Sequence, residues 1–345
     1  MDSSTRMPCI AGLEEIKYLA KGSFGSVWLV NIERPANFGL NSDCRAALKV
    51  PTSSNPADHE DFCKEGIIMS RLDHPNVVKV YHASRDRRNT PYILMEYAEN
   101  GSLLDYCKST GVLTRLHGYF GNPFGGKSEL QMCVDIVRGM EYLESKRLVH
   151  RDLAARNVLV TNDGLCKVAD FGMTRRMIKP AGYACPARND EFVFSTMTYA
   201  YVVGNPDGAV PLLWSAPEVL SGSPSTTKSD VWSFGVVLWE VLSLGAGPYY
   251  AELDAICRSI RGPATQQSLV LAMNQYLRGG SRLPRPNWCE ADLYAVMREI
   301  WDLDPDARPT FANLQVKLEG LQSIRTQKAV TGFAVLAAGA LRLLN

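Results

Sequence analysis

The stretch LVHRDLAARNVLV, residues 148–160, sets His150, Arg151, Asp152, Arg156 and Asn157 between two apolar ends. Ends of that kind anchor a loop and leave the polar residues between them to do chemistry. Asp152 can accept a proton from a hydroxyl, and the side-chain carbonyl of Asn157 is a hard oxygen ligand. Asp170 follows the apolar strand candidate CKVA (166–169), precedes Phe171 and Gly172, and offers a second oxygen ligand. Two such ligands suit Mg²⁺, which fills the rest of its shell with phosphate and water. Lys49 sits among Ala46, Ala47, Leu48 and Val50. A lysine there ordinarily faces solvent; turned inward it needs an anion, and Glu65 is available downstream. Gly22 and Gly25 lie between two strand-like runs, where glycine lets backbone N–H groups approach phosphate oxygens. Taken singly, each residue is an ordinary surface charge or turn. Taken in this order, they predict a site that handles phosphate and magnesium.

The elements that must carry these residues fall into two kinds. IKYLAKGSFGSVWLVNI (16–32), RAALKV (45–50), VVKVYHA (77–83) and PYILMEYA (91–98) have strand character. Residues 51–58 read as a loop, and HEDFCKEGIIMSRL (59–72) as a helix that gathers Phe62, Met69 and Leu72. ENGSL (99–103) reads as a connector. Beyond it the chain is mostly helical. Residues 129–146 carry an apolar stripe, 229–245 are apolar nearly all round and so belong in the middle of a domain, and 291–303 and 311–324 are amphipathic. The expectation is an α+β fold of two lobes: a small antiparallel-sheet lobe with one main helix at 13–98, a larger helical lobe at 99–325, and an apolar tail at 326–345.

With these pieces in place the sequence resembles the protein kinase family, and within it the tyrosine kinases, over about residues 13–322. KGSFGSV (21–27) is similar to the glycine-rich loop, AALK (46–49) to the lysine strand, HRDLAARN (150–157) to the catalytic loop and DFG (170–172) to the metal-binding motif. WSAPE (214–218), SDVWSFGVVLWE (229–240) and DPDARPTF (304–311) follow in family order. The resemblance implies phosphoryl transfer from ATP with Mg²⁺, in which positioning and charge stabilisation do most of the catalysis. Lys49 would hold the α- and β-phosphates and pair with Glu65. Asp152 would orient the acceptor hydroxyl and take its proton, and Asn157 and Asp170 would hold Mg²⁺. Adenine would lie between Leu19, Val27, Ala47 and Leu159, with backbone hydrogen bonds from Glu96 and Ala98 and with Met95 at the back. Ala154 stands where serine/threonine kinases usually carry Lys, and Arg156 is the tyrosine-kinase arrangement. GSRLPRP (280–286) and Trp301 agree with that group. The rival readings are a pseudokinase-like scaffold, against which the intact Lys49, Glu65, Asp152, Asn157 and Asp170 argue, and a dual-specificity kinase.

The resemblance also implies control by phosphorylation between Asp170 and Glu218. Tyr201 lies nearest the usual distance before Pro211, Tyr199 is second, and Tyr183 lies in the same segment. A phosphate adds close to two negative charges and would pair with Arg151 and Arg175. Three departures from the family stand out: Ala20 replaces the first loop glycine, Leu213 replaces a basic residue before Trp214, and residues 178–195 look inserted. Such kinases often activate each other in pairs, so a dimer that phosphorylates itself in trans is a further expectation.

Bulk properties agree. The 345 residues, 46 % hydrophobic, can bury a large core. Lys plus Arg is 37 against 36 acids, which argues against a broad nucleic-acid surface. Nine scattered cysteines without paired spacing predict reduced thiols and a cytosolic setting, as a free enzyme or as the cytosolic part of a membrane protein. The N-terminus lacks the apolar run of a secretion signal. The apolar run 329–344 is shorter than the ~20 residues of a spanning helix, so a packed or poorly ordered tail is expected rather than a membrane anchor.

Overall fold

The computed structural model describes residues 7, 10–22, 25–40, 44–53, 55–117, 128–176, 201–205, 208–260, 265–287 and 289–343. The first part of the chain builds one antiparallel sheet from β1 (Leu13–Gly22), β2 (Gly25–Ile32), β3 (Arg45–Val50), β4 (Val80–Arg85) and β5 (Pro91–Glu96), in the order β1-β2-β3-β5-β4. The register sets Val27 opposite Lys49 and Ala47 opposite Met95, so residues expected around a nucleotide come from neighbouring strands. The other face of the sheet is also covered. Ile10, Leu13 and Phe38 pack with Trp28, Val30, Leu48 and Leu94 into a second apolar layer.

Helix α1 (Pro56–Met69) begins three residues before the start predicted from sequence. Asn55 caps it by accepting the Ala57 N–H, and Pro56 already has the φ of a first helical residue. Residues 77 and 78, expected in a strand, do not join the sheet. The Val78 N–H donates to Val168 O and the Val168 N–H to Asn76 O, each at 2.9 Å, which fastens the end of the α1 connection to the second lobe.

The second lobe contains α2 (Leu103–His117), α3 (Glu129–Ser145), α4 (Pro217–Leu220), α5 (Thr227–Leu242), α6 (Leu253–Arg258), α7 (Gln266–Arg278), α8 (Ala291–Ile300) and α9 (Phe311–Leu343). The α5 helix is its axis: every residue but Lys228 is buried, as an all-round apolar pattern requires. Ser128 caps α3, whose apolar stripe is buried, and ion pairs tie α3 to α9 through Arg138–Glu319 at 2.8 Å and Arg325–Glu129 at 2.6 Å. Two small ladders place the polar loops. Strand β6 (Leu148–Val149) pairs with β9 (Arg175–Arg176), and β7 (Val158–Val160) with β8 (Cys166–Val168). The loop 150–157 therefore leaves β6 and enters β7, while residues 169–174 run between their two partners. Strand β10 (Tyr201–Asn205) pairs with β11 (Gly208–Pro211).

Among the described residues seven cysteines are free thiols, no group of three or more His, Cys, Asp or Glu forms a metal cluster, and no helix is long and apolar enough to cross a membrane.

Candidate active site

Lys49 turns inward. It is 7 % exposed, and its Nζ lies 2.6 Å from Glu65 Oε1 and 3.1 Å from Asp170 Oδ1. A buried ammonium is tolerable only against charge. Burial alone would lower the Lys49 pKa, but the charges of Asp170 and Glu65 outweigh it and raise it. Burial raises the Glu65 carboxyl despite Lys49, whereas at Asp170 the Lys49 ammonium overcomes burial and holds the carboxyl below its ordinary value. Strand β3, helix α1 and the segment after β8 thus meet at one cation.

The loop 150–157 is fixed from below. Asp230, 1 % exposed on α5, accepts the His150 N–H at 2.7 Å and the Arg151 N–H at 2.9 Å, one on each carboxylate oxygen. Arg151 has φ 73° and Asp170 φ 58°, left-handed conformations that cost a non-glycine residue about 1–2 kcal/mol and need such fixing. His150 Nε2 lies 3.0 Å from the Ala169 carbonyl, which can only accept. The ring proton is therefore on Nε2, and Nδ1 accepts the Asp152 N–H at 3.3 Å. Phe171, 1 % exposed, packs at 5.3 Å from the His150 ring.

Asp152 is 2 % exposed and is oriented from both sides. Its Oδ1 accepts from Arg156 at 2.5 Å and its Oδ2 from Asn157 Nδ2 at 2.8 Å. Asn157 Nδ2 also donates to the Asp152 backbone carbonyl at 2.7 Å. Both amide hydrogens of Asn157 are thereby used, which leaves its side-chain carbonyl oxygen available as a hard ligand. With the Asp170 carboxylate this makes a hard-oxygen pair, and the donor set fits Mg²⁺.

The residues expected around adenine are placed as follows. Leu19, Val27 and Ala47 come from the first three strands, Leu159 from β7, and Met95 and Glu96 from the end of β5. Ala47, Met95 and Ala98 are buried. The Glu96 side chain is held by the Lys79 N–H at 2.6 Å and the Lys167 ammonium at 2.9 Å, which steadies the strand end whose backbone is the relevant part. Gly25 has no room for a side chain, since a Cβ would fall 2.5 Å from Val50 O. Gly22 closes the β1–β2 register opposite Gly25. Leu213 is buried at 2 % exposure.

An ordered set of glycine loop, buried Lys–Glu pair, oriented Asp–Asn loop and Asp-Phe-Gly segment decides the family, and the comparison with known proteins agrees. The family model for protein tyrosine and serine/threonine kinases matches residues 13–318. The chain belongs to that family. This kinase domain is 33 % identical over 319 residues to the tyrosine kinase receptor Cad96Ca of Drosophila melanogaster, covering 90 % of the chain and 36 % of that protein. It is 33 % identical over 309 residues to the human proto-oncogene tyrosine-protein kinase ROS, covering 87 % of the chain and 11 % of that protein. The kinase domain therefore spans about a third or less of these relatives.

Two site residues are absent from the sequence reading: Asp230 and Glu240, both on α5. The signal was present, because two acids inside a helix that is otherwise apolar all round must have partners. Arg151 and Arg175, expected to meet a phosphate, already donate to main-chain carbonyls, Arg151 to Met173 O at 3.1 Å and Arg175 to Thr174 O at 2.9 Å. Tyr201 opens β10 opposite Pro211, while Tyr199, Tyr183 and residues 178–195 lie outside the described residues.

Proposed function

We propose that this chain is a protein tyrosine kinase that transfers the γ-phosphoryl group of ATP to tyrosine hydroxyls of protein substrates. The observation that carries this reading is the buried Lys49–Glu65 pair with Asp170 on the same ammonium, beside the Asp152–Asn157 loop. In this reading Lys49, braced by Glu65, binds phosphate oxygens, and Gly22 and Gly25 let the backbone close over them. Leu19, Val27, Ala47 and Leu159 hold adenine, with Glu96 and Ala98 giving main-chain hydrogen bonds. Asn157 and Asp170 hold Mg²⁺, which supplies charge neutralisation on the phosphates. Asp152 receives the phenol proton at its carboxylate, in an orientation set by Arg156 and Asn157. Ala154 and Arg156 support tyrosine as the acceptor. Residues 13–98 serve as the small lobe, 99–325 as the large lobe and 326–345 as a tail. Phosphorylation at Tyr201, or next at Tyr199, activates the enzyme in trans between two copies, and the reaction takes place in the cytosol.

The test is an assay with Mg-ATP and a mixed Glu/Tyr polymer, run beside Asp152→Asn and followed by phosphoamino-acid analysis. Phosphotyrosine made by the wild type and lost in the variant is the expected result. Nucleotide binding without transfer would replace this reading with a scaffold, and phosphoserine among the products would make the kinase dual-specific.

A further inference from the structure

Glu240 is 2 % exposed near the end of α5. A single oxygen of it, Oε2, accepts two hydrogen bonds from different parts of the chain. One is the Ala155 N–H in the catalytic loop, at 2.9 Å. The other is the indole N–H of Trp214, at 3.0 Å, from the turn that follows β11. The same α5 helix holds Trp214 a second time, through Ser233 Oγ donating to the Trp214 carbonyl at 2.8 Å. The Trp214 ring in turn carries the Arg156 guanidinium, with Cζ 4.4 Å from the ring centroid. Arg156 is the residue paired with Asp152.

We propose that Glu240 is a positioning residue that fastens the catalytic loop to the segment 211–216 and, through the plane of Trp214, holds Arg156 against Asp152. This rests on the kinase reading of the site. The physical case has three links. A buried Ala155 N–H without an acceptor would have to move, because a buried donor left unpaired is costly. A buried indole whose N–H loses its acceptor must shift to pair it again, and the guanidinium above it then loses its fixed distance to Asp152. A carboxylate that loses such a partner changes orientation, and small displacements at a reacting centre are expensive. Lys49, Glu65 and Asp170 stand on other elements, so the effect falls on the acceptor side of the reaction.

The two hydrogen bonds of the joint need an acceptor oxygen, and the charges of Arg156 and Lys108 act on the same carboxyl. Both donors meet Oε2, and burial, eased by the Trp214 and Ala155 hydrogen bonds, raises the Glu240 carboxyl to about 7. Glutamine offers the same oxygen, and leucine of similar size offers none.

Glu240→Gln, Glu240→Leu and Trp214→Phe are compared for kcat, for KM of ATP and peptide, and for hydrogen exchange in the peptide around 150–158. Glu240→Leu is expected to lose about tenfold or more in kcat with KM for ATP within about twofold, and to exchange faster at 150–158. Glu240→Gln is expected to restore both to near wild type. Trp214→Phe keeps a ring under Arg156 but removes one of the two donors to Oε2, so it is expected to lose activity to a smaller extent, and to add nothing in the Glu240→Leu background. Three results would overturn the inference: wild-type kcat and exchange in Glu240→Leu, equal damage from Gln and Leu, or a loss that only follows the folded fraction. If Glu240→Leu does not fold, wild-type behaviour of Trp214→Phe overturns it. A wild type that transfers no phosphate would defeat the kinase reading instead, while the exchange comparison still decides whether Glu240 fastens the loop.

Discussion

Arg308 is 1 % exposed, and its guanidinium is surrounded by acceptors. Nη1 and Nη2 form a two-point pair with Glu218 at 2.7 and 2.8 Å, Nη1 also reaches Lys228 O at 2.9 Å, and Nε reaches Asp302 O at 2.9 Å. Its Cζ lies 5.1 Å from the Trp232 ring centroid. Glu218 ends the segment that begins at Asp170, so this pair anchors the segment to the α8–α9 connection. Replacing Arg308 with Ala leaves the largely buried Glu218 carboxylate without its cation. Breaking a buried pair from one side costs roughly 3–5 kcal/mol. At ~2.1 cal/mol/K per residue over about 300 residues, a 4 kcal/mol loss lowers Tm by ~6 °C. Arg308→Lys keeps the charge but loses the planar fork, and is expected to fall about halfway. The decisive variant is Arg308→Ala combined with Glu218→Ala. It removes the orphaned charge, so its loss is expected to be smaller than the sum of the two single losses. Differential scanning fluorimetry and urea unfolding of the four proteins measure this. A Tm within about 1 °C of wild type for Arg308→Ala, or strict additivity in the cycle, would refute the reasoning.

Three further outcomes follow from the geometry. Lys49→Met is expected to lower kcat/KM by about 100-fold or more, because the phosphates lose the cation that binds them and Glu65 loses its partner; steady-state kinetics and a nucleotide titration check it. Gly25→Ala would drive a Cβ to 2.5 Å from Val50 O, so β2 and β3 must part, and a stability loss of about 1–3 kcal/mol with a raised KM for ATP is expected. Glu240 has a folded pKa of about 7, above its ordinary 4.5, so its contribution to stability is fully present below pH 4.5 and is lost as pH rises through 7. Glu240→Gln does not carry that loss, and its stability relative to wild type is expected to rise by ~2 kcal/mol between pH 5.5 and 8; parallel curves in urea unfolding across that range would count against the burial argument.

The sequence was most informative where one pattern had one physical meaning. The all-round apolar run at 229–245 is the central helix, and the strand around Lys49 is a strand. It was least informative at element ends: the cap at Asn55 moved α1 three residues earlier, and Asn76 to Val78 bonded across to Val168 rather than along the sheet. Lys49, Glu65 and Asp170 could be named one by one, but their meeting at one point depends on register and on the β7–β8 ladder, which local patterns do not encode. Asp230 and Glu240 went unread because their partners, at 150–151, 155 and 214, lie far away along the chain.

The family match ends short of the folded body on both sides, which matters for anyone preparing this domain in recombinant form. A fragment cut to 13–318 would strip Ile10 from the covered face of the sheet, leaving Trp28 and Phe38 nearer to water. At the other end it would remove Glu319 and Arg325, and with them the ion pairs by which α9 is held to Arg138 and Glu129 of α3 and to Glu290 at the start of α8. Preparations extended to about residues 7–327 keep both seals and are expected to be more soluble and longer-lived than the 13–318 fragment.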